Sequence, residues 1–231
     1  MSTPPQHLCT FLRGQNWYTY KHLENRLLEV SKHITFDPQN HDTWSENLDS
    51  LLILTGSAVD TFFRDMKDCS CVQKEISFVN VSQKVGRGRW DINDFRDAYE
   101  PIYEFSQNEI HVPFGLSSYP PIKPFNEFQS KGIPDWWDAY NGVKHEYYHS
   151  IRRATLDNVL NALGGLLILH ALHKCSQEYL IRSGHIQDIY KSLRWEQIVE
   201  AFKESNTGCP KRWKTFFDIG IQTSIFVFKY R

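Results

Sequence analysis

Residues 154–172 read Ala-Thr-Leu-Asp-Asn-Val-Leu-Asn-Ala-Leu-Gly-Gly-Leu-Leu-Ile-Leu-His-Ala-Leu, the most apolar stretch of the chain. Leu156, Val159, Leu160, Leu163, Leu166, Leu167, Leu169 and Leu172 recur at helical spacing over a broad face. Only Asn161 and His170 interrupt the run from Val159 to Leu172, which is shorter than the about 20 apolar residues a membrane span needs. The reading is a buried core helix from about Ala154 to Ile181. Ala162, Gly164, Gly165 and Ala171 are small enough to admit another helix closely. A helix this apolar must be surrounded, and that requirement decides the fold class: mainly all-α.

Working outward, the chain supplies the surrounding elements. Trp17, Tyr20, Leu23, Leu27, Leu28 and Val30 mark a helix over 16–31, which the Asp37-Pro38 break follows. Leu48, Leu51, Leu52, Val59, Phe62, Phe63 and Met66 mark a long amphipathic helix from Trp44. Gly56 and Ser57 in its middle imply a close neighbour. A third helix is expected from Ile92 to about Phe105 behind an Asp91 cap, another from Asp135 through Tyr148, and a last one over 186–204. Ile76, Phe78, Val79 and Val81 read as strand-like, as do Ile225 to Phe228. Residues 108–134 carry five prolines and form a long loop of the kind that is often functional. The expected architecture is an up-and-down helical bundle with small β elements and a long proline-rich loop before the helix at 135. It is expected to be one domain over 1–231, with its core at about 16–182 and a C-terminal helix and basic aromatic tail over 183–231.

The formal net charge of -1 excludes a protein that coats nucleic acid through phosphate contacts alone; any such contact is a local patch. Arg87-Gly88-Arg89 reads as a solvated basic turn. From Lys203 to Arg231 there are six basic and two acidic residues, interleaved with Trp213, Phe216 and Phe217, a mixture able to hold a single strand by stacking and charge. The five cysteines, Cys9, Cys69, Cys71, Cys175 and Cys209, contain no C-x-x-C pair. Cys69-x-Cys71 has the wrong spacing for a zinc knuckle, so all five read as reduced thiols of a cytosolic protein. No secretory signal opens the chain. The expectation is a cytoplasmic protein with no membrane contact and no cofactor.

One stretch concentrates unusual residues: Trp136-Trp137-Asp138-Ala139-Tyr140-Asn141-Gly142-Val143-Lys144-His145-Glu146-Tyr147-Tyr148-His149. On one helix Asn141, His145 and Tyr148 share a face, with Lys144 beside it. The plainest reading is a structural polar cluster in a non-catalytic interaction protein, tying the helix to the proline-rich loop. A second is His145-Glu146-x-x-His149, the pattern of zinc hydrolases, in which two imidazoles hold a metal and the glutamate activates its water. No motif marks a third ligand there, although Asp157 and Glu178 are available.

A third reading rests on resemblance. Tyr140-Asn141-x-x-Lys144-His145-x-Tyr147, followed by the apolar helix, resembles the HEPN superfamily (higher eukaryotes and prokaryotes nucleotide-binding) over roughly residues 134–182. That resemblance implies a helical bundle that binds RNA or a nucleotide. Active members are metal-independent ribonucleases that work as homodimers in defence and toxin–antitoxin systems, so an antitoxin or defence partner is implied too. It implies His145 as acid/base, with Asn141 and Lys144 as the other catalytic groups and Tyr140, Tyr147, Arg152 and Arg153 contacting substrate. The imidazole fits proton transfer at a ribose 2′-OH, and a cation would stabilise charge developing on phosphorus. The family's arginine position is occupied by Tyr140, which lacks a permanent charge. Tyr147 stands where some members carry attached nucleotides.

Overall fold

A computed structural model describes residues 6–69, 71–73, 90–113, 119–185 and 220–229. The strand-like run at 76–81, the basic turn at 87–89, the helix over 186–204 and the tail residues Trp213, Phe216 and Phe217 lie outside the described residues.

The fold is mainly all-α. Helix α1 spans Gln6–Ser31, starting ahead of the expected position, and buries Trp17, Tyr20, Leu23 and Leu27. Helix α2 spans Glu46–Asp68. It starts at Ser45, whose hydroxyl accepts the Leu48 N–H at 3.2 Å, a cap that contributes about 1 kcal/mol. Helix α3, Ile92–Tyr103, opens on a reciprocal capping box between Asp91 and Asp94, as the Asp91 signal implied. Helices α4 (Asp135–His145), α5 (Tyr147–Ser150), α6 (Leu156–Leu172) and α7 (Lys174–Arg182) follow.

The deciding stretch is α6. Thirteen of its residues are buried, and it packs against α2, α1, α4 and α7. One expectation about it changes. The helix does not continue to Ile181: His173 is extended (φ -76, ψ 120), and α7 leaves at 88° to α6. Past Leu172 the chain turns polar at Lys174, Ser176, Gln177 and Glu178, so it no longer has an apolar stripe to bury along the same axis. Gly164 and Gly165, moreover, receive the proline-rich loop. A Cβ on Gly164 would lie 2.0 Å from Ile110 Cδ1, and one on Gly165 would lie 3.1 Å from the Phe125 ring.

The proline-rich loop is therefore part of the core. Ile110 and Ile122 exchange backbone hydrogen bonds of 3.0 Å in both directions. The Arg96 guanidinium donates to the carbonyls of Lys131 and Gly132. Strands β1 (Ile110–His111), β2 (Gly220–Gln222) and β3 (Val227–Lys229) form an antiparallel sheet in the order β1-β3-β2, with Ile110 and Ile221 opposite Phe228. The expected C-terminal strand is thus present, and a buried carboxylate ties it to α1. Glu24 accepts the Ile225 N–H at 3.1 Å and the Tyr20 hydroxyl at 3.2 Å. Among the described residues no single helix is long and apolar enough to cross a membrane.

Candidate functional site

The resemblance residues lie on α4, α5 and the turn after them. Helix α4 follows Pro134 and is pinned at its start by Trp136, whose Nε1 donates to the Pro124 carbonyl at 2.7 Å. That bond ties the start of the helix to the proline-rich loop. Tyr140 is buried, its ring packed over Gly56 of α2; a Cβ on Gly56 would sit 2.4 Å from the ring. The small pair Gly56-Ser57 thus marks the seat of Tyr140. The Tyr140 hydroxyl accepts from Lys144 Nζ at 2.7 Å and lies 3.3 Å from Ser57 Oγ. Tyr140 faces the core, and its hydroxyl positions the exposed Lys144 ammonium.

The helix expected through Tyr148 stops at His145. Glu146 takes φ -132, ψ 49, its N–H returns to the Gly142 carbonyl at 2.7 Å, and α5 begins one residue later. The turn folds Ser150 back against α4, and only a glycine leaves room for it. A Cβ on Gly142 would meet Ser150 Oγ at 2.9 Å and its Cβ at 3.1 Å. This break has two consequences. Asn141, His145 and Tyr148 do not share a single helix face, and His145 and His149 are not one turn apart on a continuous helix. Among the described residues, His145, Glu146 and His149 do not form a convergent ligand set. Asp157, one of the spare ligands, is engaged by the Tyr119 hydroxyl at 3.4 Å and by His41 Nδ1 at 3.9 Å.

The elbow is open to solvent. Lys144, His145, Glu146, Tyr147, Tyr148 and His149 are consecutive exposed residues, and Arg152 and Arg153 are exposed just beyond. Asn141 is half-buried. Tyr148 is 92 % exposed and meets the Tyr147 ring edge-on at 5.8 Å. Arg153 donates to Asp138 at 2.6 Å. The Tyr147 phenol lies beside Asp49 of α2. Desolvation first, and the neighbouring Asp49 carboxylate second, push the Tyr147 phenol above its ordinary range. Desolvation likewise raises the Asp49 carboxyl.

A second grouping was not apparent from the linear spacing. The Cys69 and Cys71 sulfurs lie 2.8 Å apart, and Cys175 Sγ is 3.6 Å from the first and 3.4 Å from the second. His173 Nε2 is 3.8 Å from Cys71 Sγ. All four ligand atoms lie within 4.8 Å of one another. Cys69, Cys71 and Cys175 are free thiols, and packing gathers them around His173. A C-x-C pair at the end of α2 meets an H-x-C pair at the α6–α7 corner. The available signal was two close pairs of metal-binding residue types, each at a helix end; their proximity depends on tertiary packing.

Comparison with known protein families, with curated proteins and with solved structures returns no match for this chain.

Proposed function

We propose that this chain is a HEPN-like RNA-binding protein whose contact surface is the α4–α5 elbow. The observation that carries the reading is the exposed run Lys144–His149 with Arg152 and Arg153 beside it, in a chain whose net charge is only -1. Cations there meet phosphates, and the open ring of Tyr148 offers a base a stacking face, worth about 1–3 kcal/mol per base. The Tyr140 hydroxyl holds Lys144 at a fixed point on this surface. In this reading His145 is the proton-transfer group if the bound strand is cut, and the superfamily's active members do so as dimers.

The test is the affinity of full-length protein for a fluorescent single-stranded RNA, measured by anisotropy over a salt series. Tyr148→Ala is expected to weaken binding about 5-fold or more. Lys144→Ala with Arg152→Ala is expected to weaken it and to lower the salt slope. Identical affinity and slope in all three proteins would sink the proposal. Incubation with the same RNA in EDTA, comparing wild type with His145→Ala, then distinguishes cleavage from binding alone.

A further inference from the structure

We infer that Cys69, Cys71, His173 and Cys175 form a structural zinc centre that clamps the end of α2 to the α6–α7 corner. Three thiolates and one imidazole are a soft, borderline donor set that selects zinc over the oxygen-seeking magnesium and calcium. Their geometry is close to what the ion requires. Zinc–sulfur bonds of ~2.3 Å in a tetrahedron place the sulfurs about 3.8 Å apart. The Cys175 separations of 3.6 and 3.4 Å and the His173 separation of 3.8 Å fall within a few tenths of that edge. Cys69 and Cys71, at 2.8 Å, must open by about 1 Å to reach that edge.

The local backbone explains why the four converge. Cys69 ends α2 as its C-cap, and its carbonyl then accepts the N–H groups of Val72 and Gln73 at 3.0 Å, turning Cys71 back toward it. His173 is the extended residue between α6 and α7, so Cys175 follows it in the first turn of α7. Phe62 stacks edge-on to the imidazole at 5.8 Å and fixes its plane. Cys69 and His173 are buried while Cys71 and Cys175 are half-exposed, which gives an ion an entry path. Four protein ligands leave no open position, so the centre is structural rather than catalytic.

Binding releases three thiol protons and leaves a Zn(Cys)3(His) unit with a net charge of -1. With zinc on Nε2 the neutral ring carries its proton on Nδ1. The Ser176 N–H, now 3.3 Å from Nδ1 and 3.0 Å from the His173 carbonyl, keeps only the carbonyl. The clamp joins residues 102 apart in sequence, so it removes a long loop's freedom from the unfolded chain.

The decisive experiment is metal analysis of tag-free, full-length protein produced in zinc-supplemented medium and purified without chelator. About one zinc per chain is expected. Cys71→Ser with Cys175→Ser should lose it, whereas Cys9→Ser with Cys209→Ser, and His145→Ala with His149→Ala, should retain it. Zinc absent from the wild type, retained by the Cys71/Cys175 variant, or lost only with His145 and His149 would overturn the assignment. A Cys69–Cys71 disulfide found by mass after alkylation, with no metal bound, would overturn it equally. If the cysteine variant does not fold, cobalt added to chelator-stripped wild type decides. Thiolate-to-cobalt absorption with a tetrahedral ligand-field spectrum is expected, and a weak octahedral spectrum would overturn the site.

Discussion

Gly56 and Tyr140 show how a single missing atom positions the surface. The Tyr140 ring occupies the space a Cβ at position 56 would need, 2.4 Å away, and the ring is itself enclosed by Trp137 at 5.3 Å. It has nowhere to retreat. Gly56→Ala should therefore destabilise the protein by about 1–3 kcal/mol through overpacking, even though alanine is the better helix former. Urea denaturation measures this; a neutral or stabilising result would mean that Tyr140 moves freely. The small Gly56-Ser57 pair was legible in the sequence as a close approach. Its partner was not, because the period of α2 says which face is small and nothing about which ring arrives there. The same limit applies to Tyr140: its place in the superfamily pattern suggested substrate contact, whereas burial gives it the task of holding Lys144.

At the scale of elements, helix existence and caps were legible and helix ends were not. Asp91 announces its helix by chemistry local to the cap and appears as expected, and Ser45 caps α2 by the same chemistry. The breaks at Glu146 and His173 depend on what the next residues pack against: Ser150 on Gly142 in one case, the polar turn into α7 in the other. The small face of α6 makes the same point, since it receives Ile110 and Phe125 from the proline-rich loop. A double-mutant cycle tests that seat. Gly164→Ala puts a methyl where Ile110 Cδ1 lies, at 2.0 Å, and should cost about 1–3 kcal/mol. Ile110→Val deletes that Cδ1 and costs about 0.5–1.5 kcal/mol alone. Together they should cost less than their sum; additive losses would show that the loop and α6 do not compete for this space.

The whole molecule is held by contacts between segments far apart in sequence: Glu24 with Ile225, Ile110 with Phe228, and the four residues of the proposed zinc centre. None of these pairings is encoded in a local pattern, which is why helical content could be read from the chain and the metal-ligand set could not. Packing also leaves an electrostatic signature spread over the molecule. Asp49, Glu100, Glu127 and Asp157 all have carboxyl groups raised above the ordinary range, each with desolvation as the largest cause. A carboxyl whose folded pKa exceeds its unfolded one binds more protons in the native state through the interval between the two values. Its contribution is therefore most favourable at low pH and is lost as pH rises through that interval. Glu100 is the cleanest probe, because Ser106 donates to it from both N–H and hydroxyl and a glutamine can still accept. Relative to wild type, Glu100→Gln should be more favourable at pH 7 than at pH 4.5, because burial raises the wild-type carboxyl and its desolvation cost grows as the group ionises. Urea midpoints at the two pH values measure the difference. An offset between the proteins that does not change with pH would show that desolvation at Glu100 has no bearing on the stability of the fold.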